Sequence, residues 1–340
     1  MTVQRIGYAC KFIVDDRAEY KRLNQRATTK KKLMSLPVPD ARALVREVVE
    51  HNINSMALQF GKLAALPHAL RMCRIGSEVI PLYSHEYFSD VLYPENDEAT
   101  VEFNEFLSAG LYAVGEFARA NDIRLSFHPG QFTVLASDRP DVVEKSIIEF
   151  EYHATVARLM GYGREFQDFK CNVHLSGKGG VPVFRETFER LSPEAQRIIT
   201  IENDEFTSSL NRCLEIADLC PVVLDVHHHF INSGQYIQPE DPRIEEVIAS
   251  WRGKRPVLHY SVSPEELFSP EEYMPQTTGF PSLSELVESG IPRSKLRKHS
   301  DFYHNTCMNK WIAKFRDKFD IMCESKMKNV ASFQLYESIK

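Results

Sequence analysis

Short apolar runs alternate along this chain with longer amphipathic stretches. A short apolar run bounded by turn-forming residues is typical of a buried parallel strand, and an amphipathic stretch is typical of a crossover helix. Eight such runs predict strands at residues 5–9, 71–77, 123–128, 170–176, 198–203, 221–227, 256–261 and 319–325. The alternation predicts an α/β fold, a single (β/α)8 TIM barrel.

The stretches between the strands predict the crossover helices. They lie near residues 39–66, 98–121, 139–162, 184–197, 207–219, 239–252 and 305–318, and several open on Asp, Ser or Thr, as helix N-caps do. Residues 262–300 are too long for a simple loop and contain several prolines. We therefore expect one domain over residues 1–340, with an insertion at about 262–300 between strand seven and its helix.

Barrel enzymes place reactive groups where the strands end, because the eight βα loops converge there. Strands two to eight each deliver a metal-type ligand at or just after their ends: His85, His128, His174, Glu202, Asp225 with His228, His259 and Glu324. Nitrogen and oxygen donors without a thiolate suit zinc, manganese or iron. Eight ligands exceed the need of one ion, so we expect two or three divalent ions bridged by Glu202 and Glu324. Such a cluster suits phosphate ester hydrolysis.

Three consecutive histidines, 227–229, follow strand six, and only some of them can face the metal site. Strand alternation would send Asp225 and His227 to one face and His228 to the other. If the strand ends near Val226, the chain turns and His228 returns to the site. We therefore predict His228 as the ligand, with His227 and His229 as supporting or substrate contacts.

Composition narrows the class of protein. The start of the chain lacks an apolar signal-peptide core, no run of eighteen apolar residues occurs, and the seven cysteines form no CxxC pair. We expect a cytoplasmic protein that does not act at a membrane. The formal charge of −6 argues against a chain coated in positive potential, but Arg17–Lys32 and Arg293–Lys298 are locally basic.

The motifs resemble those of the UV damage endonuclease family, relatives of endonuclease IV. They are IGYAC (6–10), RIGSEVIPLYSH (74–85), LSFHPGQF (125–132), NVHLSGKGG (172–180), ITIENDE (199–205), LDVHHHF (224–230), LHYS (258–261), KHSDFYHN (298–305) and CESKMK (323–328). The resemblance implies a repair enzyme that nicks damaged double-stranded DNA immediately 5′ of a cyclobutane dimer or 6-4 photoproduct, leaving a 3′-hydroxyl and a 5′-phosphate. It implies the same eight ligands, with manganese favoured and zinc or magnesium as alternatives, and no obligatory protein partner.

The same resemblance assigns lesion contacts. Family members insert a Gln-Tyr pair into the duplex, which places Gln131 and Phe132 in that role here. Phe132 lacks the hydroxyl but keeps the stacking face that a wedge needs. Tyr8 matches a tyrosine at the flipped lesion, although the residue pattern alone also allows a core tyrosine.

Another family position also differs in this chain. Some relatives have a lysine two residues before the strand-seven histidine, described as carboxylated and facing the metals, where this chain has Val257. Valine cannot bind an ion, so either another group, with His299 and Asp301 as candidates, fills the gap or the site organises its ions differently. Lys326, just past Glu324, is a candidate contact to the scissile phosphate, and Glu202 is the central catalytic carboxylate.

Two other functions remain open on the sequence. A metal-dependent sugar isomerase uses the same barrel and similar strand-end ligands, but would not require a Gln-aromatic wedge. A lesion-binding protein with a structural metal cluster would bind damaged DNA without cleaving it. Nicking of irradiated plasmid separates the nuclease from both.

Overall fold

Eight parallel strands close into one barrel in sequence order, so the predicted (β/α)8 fold is confirmed. The computed structural model describes residues 4–267 and 280–340. The strands are β1 Ile6–Cys10, β2 Met72–Ile75, β3 Arg124–Phe127, β4 Lys170–His174, β5 Ile199–Glu202, β6 Val222–Asp225, β7 Val257–Tyr260 and β8 Asp320–Cys323. All eight fall within a residue of the predicted runs, because strands covered on both faces are marked by continuous apolar residues.

The helices surround the barrel. In the described ranges they are α1 Arg17–Leu23, α2 Lys30–Met34, α3 Val38–Ala64, α4 Glu98–Ala120, α5 Pro140–Leu159, α6 Gly180–Arg190, α7 Pro193–Ile198, α8 Leu210–Leu214, α9 Val226–Ser233, α10 Pro242–Ser250, α11 Leu283–Glu288, α12 Arg293–Leu296, α13 Thr306–Ala313 and α14 Lys328–Ser338. Side-chain caps explain several starts: Asp97 accepts from the backbone of α4, Ser192 from α7 and Asp241 from α10.

Some helix boundaries differ from the prediction. The stretch expected as one helix at 184–197 is two helices, because Ser192 and Pro193 end α6 and begin α7. The helix expected at 207–219 covers only α8. Helices α1, α2, α9, α11, α12 and α14 were not predicted. In the predicted insertion, residues 268–279 lie outside the described residues, and the remainder contains α11 and α12; its assignment as an insertion in a single domain stays a prediction.

The barrel interior changes character along its axis. On β8 the alternating residues Asp320, Met322 and Glu324 share one face. Asp320 lies at the amino-terminal end, where the backbone N–H of Arg5 donates to its carboxylate. Next along the strand, Met322 packs in an apolar layer with Met72, Val223, Trp251 and Val257. Glu324 lies beyond this layer at the carboxyl end. The apolar layer therefore supports a polar site at the carboxyl end.

Candidate metal centre at the carboxyl end of the barrel

Imidazoles and carboxylates gather at the carboxyl ends of β3 to β8. Three overlapping groups have ligand atoms within 4.8 Å of one another, and together they contain seven of the eight predicted ligands. The groups are His128, His174 and Glu202; Glu202, Asp225 and His228; and Asp225, His259 and Glu324. Shared Glu202 and Asp225 make the set continuous. We call these seven residues the rim cluster.

Glu202 occupies the middle of the rim cluster and is fully buried. Its Oε2 lies 3.2 Å from His128 Nε2, and its Oε1 lies 3.1 Å from His259 Nδ1 and 3.3 Å from His228 Nδ1. Strand ends converge only at this edge of a closed barrel, which explains why one carboxylate contacts side chains from three other βα units.

Helix α9 brings His228 into the rim cluster. Strand β6 ends at Asp225 and the helix begins at once, so residues 225 and 228 lie on the same side of the first turn. The Asp225 Oδ1 accepts the backbone N–H of His228 at 2.7 Å, while its Oδ2 lies 3.7 Å from His228 Nδ1. The predicted turn after strand six is therefore a helix start, and His228 lies where the prediction placed it.

Within residues 4–267 and 280–340, four buried polar atoms of the rim cluster lack a hydrogen bond of good geometry, although two of them, Glu202 Oε1 and His259 Nδ1, lie 3.1 Å apart. They are His174 Nδ1, Glu202 Oε1, Asp225 Oδ2 and His259 Nδ1. Buried polar atoms are normally satisfied, so four orphans in one cluster require an explanation. Each is a nitrogen or carboxylate oxygen of the kind that divalent transition metals bind. The residues therefore fit a metal centre.

The electrostatics of the acids point the same way. Burial raises the pKa of Asp225 well above its usual range, opposed by His228 and reinforced by Glu202 and Glu324. Burial also raises the pKa of Glu202, but the imidazoles packed around it, including the hydrogen bonds from His128 and His228, outweigh burial and hold that pKa well below the usual range. The ionised form of Asp225 needs a further positive partner, which a divalent cation would supply.

The imidazoles divide into two kinds. Burial lowers the pKa of His259 to about 4 and also lowers that of His174, although Glu202 partly opposes both shifts. Burial lowers the pKa of His228 too, but Asp225 and Glu202 raise it well above its usual value. Neutral imidazoles are the form that binds metal, so His259 and His174 are electrostatically prepared as ligands.

Polar side chains beneath the rim cluster orient the ligands. Asn172 donates from Nδ2 to Glu202 Oε2, and Thr200 Oγ1 donates to Asn172 Oδ1 at 2.8 Å. Asn203 holds the backbone of Asp225 through two hydrogen bonds of 2.9 and 3.0 Å. Such supporting contacts fix ligand orientation and so tune metal affinity.

Lys170 contacts the rim cluster and was not among the predicted site residues. It is buried in the barrel with its Nζ 2.9 Å from His259 Nε2. Burial lowers its pKa to about 7, although Glu202 opposes the shift. The signal was present in the sequence: residues 170, 172 and 174 are all polar at strand period two, which places them on one inward face.

Arg74 is a second polar strand residue that was not among the predicted site residues. It is the polar residue of β2, and its Nη1 donates to Glu324 Oε1 at 2.5 Å. The guanidinium holds the pKa of Glu324 well below its usual range against the effect of burial. Glu324 is therefore shared between a fixed cation of the protein and the rim cluster.

His85 is the one predicted ligand outside these groups. Its Nε2 lies 2.9 Å from Lys30 Nζ of α2, and its Nδ1 accepts the backbone N–H of Tyr87 at 2.9 Å. Both ring nitrogens therefore have protein contacts in the part of the chain that the structure describes. Its role as a ligand stays a prediction.

The predicted wedge residues are exposed at the same end of the barrel. Gln131 and Phe132 follow β3 three and four residues after His128, and Phe132 is 85% exposed. An exposed phenylalanine at that level gains nothing from the core. Its position fits a side chain that contacts a ligand outside the protein.

Three predicted lesion contacts are buried instead. Tyr8 faces α3, where its hydroxyl donates to Gln59 Oε1 at 3.0 Å, because alternation along β1 turns it away from the barrel interior. His227 contacts Ser261 and Leu296 beneath the surface, and His229 is 5% exposed. The structure does not bring these three side chains to the surface, and their roles as lesion or substrate contacts stay predictions.

The remaining catalytic candidates lie beside the rim cluster. His299 Nδ1 lies 2.8 Å from the backbone oxygen of Glu324. Asp301 and Lys326 form an exposed ion pair of 3.0 Å just past β8. None of the three belongs to the metal-type groups of the described residues, and the region around Val257 is apolar. Their catalytic roles stay predictions.

A closed parallel barrel with a nitrogen-and-oxygen cluster at its carboxyl end defines the class of protein as a (β/α)8-barrel enzyme with a candidate metal centre. Comparison with known protein families identifies the family within this class. The chain belongs to the UV-endonuclease UvdE family, whose profile matches residues 4–340. It is therefore an enzyme that hydrolyses phosphodiester bonds, acting as an endonuclease.

Curated relatives and solved structures agree with the family. UV DNA damage endonucleases of Bacillus cereus (strain B4264) and Bacillus mycoides (strain KBAB4) are each 25% identical, over 313 and 282 residues. The alignments cover 87% and 79% of this chain and 82% and 75% of the relatives. The crystal structure of SacUVDE has a TM-score of 0.70 at 25% identity, covering 98% of this chain and 97% of its own.

A more distant structure supports the fold alone. Endonuclease IV from Thermus thermophilus has a TM-score of 0.50 at 14% identity, with 84% of this chain and 93% of that chain covered.

None of the helices in the described ranges is both long and apolar enough to cross a membrane.

Proposed function

We propose that this enzyme nicks double-stranded DNA immediately 5′ of ultraviolet photolesions, cyclobutane dimers and 6-4 photoproducts, in a metal-dependent reaction. The observation that carries the metal dependence is the rim cluster with its four buried orphan atoms. The membership in the UvdE family and the printed names of the relatives support damaged DNA as the substrate. The expected products are a 3′-hydroxyl and a 5′-phosphate.

The rim cluster would hold two or three divalent ions, with manganese favoured and zinc or magnesium as alternatives. Ions bound there supply Lewis-acid activation of water and neutralise charge on the scissile phosphate. The buried Glu202, between ligands from β3, β6 and β7, would hold adjacent ions at a fixed spacing. The hydrogen bond from Asn172 keeps that carboxylate in place.

The loops at the carboxyl end would bind the DNA. Every Lys and Arg between Arg17 and Lys32 is exposed, and this basic segment follows β1 on the same end of the barrel as the rim cluster. Their charge suits contacts to phosphates. Gln131 and the exposed Phe132 would enter the duplex at the lesion, where damaged and poorly stacked steps cost less to open.

The deciding experiment uses purified protein and a duplex with one thymine dimer at a defined position. We expect one nick, 5′ of the dimer, in the presence of manganese, and an intact duplex after chelation. Product ends are identified by ligation and by polymerase extension. An intact dimer duplex across a series of manganese, zinc, magnesium and cobalt would refute the proposal.

A further inference from the structure

A second large aromatic side chain is exposed at the carboxyl end of the barrel. Phe206 lies on the loop between β5 and α8, four residues after the ligand Glu202, and is 63% exposed. Its ring therefore offers apolar surface beside the rim cluster that a bound ligand would remove from water. Neither the metal cluster nor the Gln131–Phe132 wedge uses it.

The loop holds Phe206 in one place. The carboxylate of Asp204 accepts the backbone N–H groups of Phe206 at 2.6 Å and Ser208 at 3.2 Å, and also the hydroxyl of Thr207. The backbone N–H of Asp204 donates to the Ser208 oxygen at 2.8 Å. An aromatic side chain fixed in this way loses little conformational entropy when it binds a ligand.

Arg297 stacks on the ring. Its guanidinium carbon lies 4.0 Å from the ring centroid of Phe206, and its Nε donates to Glu205 Oε2. The other oxygen of Glu205 lies 3.9 Å from Nε2 of the ligand His228. Within residues 4–267 and 280–340, the two terminal nitrogens of Arg297 donate no hydrogen bond. The pair is thus connected to the rim cluster and keeps donors available.

The chemistry of this pair matches a nucleotide. The guanidinium covers one face of the ring and leaves the other open, and an open aromatic face binds an unpaired base by stacking. The terminal nitrogens of Arg297 suit the neighbouring phosphate. Lys295 and Lys298, both exposed, add positive charge in the same segment. This positive charge would favour binding of DNA, which is a polyanion, over binding of an uncharged partner.

We propose that Phe206 and Arg297 form a stacking site for an unpaired base of the DNA substrate, separate from the Gln131–Phe132 wedge. The two aromatics follow β3 and β5, two strands apart around the barrel, so they contact different nucleotides. This inference rests on the proposed cleavage of lesion-containing DNA. Phe206 would bind substrate and position it, without touching the reacting atoms.

The test measures single-turnover cleavage of the dimer duplex by the manganese-loaded enzyme over a range of enzyme concentrations. Phe206→Ala is expected to raise the half-saturating concentration about tenfold, as loss of one stacked base predicts, with little change in the maximal rate. Arg297→Ala is expected to act in the same direction. Phe206→Trp keeps a stacking face and should restore binding to within about twofold of the natural protein.

Tyr112→Ala is the matched control, because Tyr112 on α4 is 46% exposed and carries the guanidinium of Arg119 at 5.7 Å, on an outer helix. A second readout places 2-aminopurine at successive positions near the dimer. One position should lose fluorescence on binding to the natural protein and not to Phe206→Ala.

The outcomes separate the two proposals. If the natural protein cleaves and Phe206→Ala binds as tightly as Tyr112→Ala, with no position-specific change in fluorescence, the stacking site is refuted and the proposed function stands. If the natural protein cleaves no dimer duplex under any metal, the proposed function is refuted and the stacking site with it.

Discussion

Strand β8 begins at one carboxylate, Asp320, and is followed directly by another, Glu324, and the two have different surroundings. At the amino-terminal end, Asp320 accepts from Arg124 Nη1 and Arg255 Nε, both at 2.7 Å, and from the backbone N–H of Arg5. At the carboxyl end, Glu324 joins the rim cluster, where several buried atoms lack partners. Asp320 is therefore satisfied by three arginines, whereas Glu324 accepts from Arg74 and otherwise faces the rim cluster. The protein completes the contacts of the acid that stabilises the barrel, and it leaves ligand atoms open where the acids suit exchangeable ions.

The largest expected effect is at the carboxyl end. Glu202→Gln keeps the shape but removes the charge that bridges ligands from three strands. Loss of about 5 kcal/mol of charge stabilisation would lower the cleavage rate several thousandfold while sparing most lesion binding. Single-turnover assays and gel shifts on the same dimer duplex measure the two effects. Retained cleavage would remove Glu202 from the metal bridge.

The matching change at the other end should act on stability. Asp320→Asn leaves Arg124 and Arg255 without their buried partner, so we expect the free energy of unfolding to fall by about 3 to 5 kcal/mol. Urea unfolding followed by circular dichroism measures this loss. Cleavage per folded molecule should stay close to that of the natural protein. A selective loss of cleavage instead would contradict the division between the two ends.

Metal binding offers a third comparison. A divalent ion that binds only the folded chain, present at a hundredfold excess over its dissociation constant, stabilises it by about 2.7 kcal/mol. We expect manganese to raise the melting temperature of the natural protein and of Asp320→Asn, and chelator to reverse it. Glu202→Gln should gain much less. Equal gains in all three would place the bound ion away from Glu202.

The smallest effect concerns a histidine outside the rim cluster. His153 on α5 is fully buried, and burial lowers its pKa to about 4. Below the unfolded-state pKa of about 6.5, the unfolded chain binds a proton that the folded chain excludes, so stability falls as the pH drops from about 6.5 towards 4. We expect His153 to account for about 2 kcal/mol of the loss between pH 7 and 5.

Replacement by phenylalanine checks this value, because the ring beside Phe127 is retained and the titrating nitrogen is not. The variant should lose less stability than the natural protein between the two pH values, in urea titrations at each. Equal losses would show that other groups carry the pH dependence.

The sequence predicted the barrel well for a physical reason. Parallel strands covered by helices are continuous apolar runs, and all eight were visible. Helix ends were harder, because local caps decide them: Ser192 and Pro193 divide one predicted helix into two, and α9 begins where a strand was expected to continue to residue 227. Lengths of short helices depend on tertiary packing that periodicity does not contain.

The candidate site was predicted in part. Strand-end position identified the seven residues of the rim cluster, because that position is fixed by topology. Facing direction was not fixed: Tyr8 alternates away from the interior and contacts Gln59. Lys170 and Arg74 lie deeper in the strands than the strand ends and loops on which the prediction was based, so it did not include them.

The side chain of Asp225 has two roles, because one carboxylate oxygen caps helix α9 and the other faces the rim cluster. The helix advances by about 100° per residue, so adding or deleting one residue between positions 225 and 228 would turn the imidazole of 228 away from its neighbours. This segment can therefore tolerate some point substitutions, but it cannot tolerate insertions or deletions. We therefore expect natural variation here to conserve spacing more strictly than residue type.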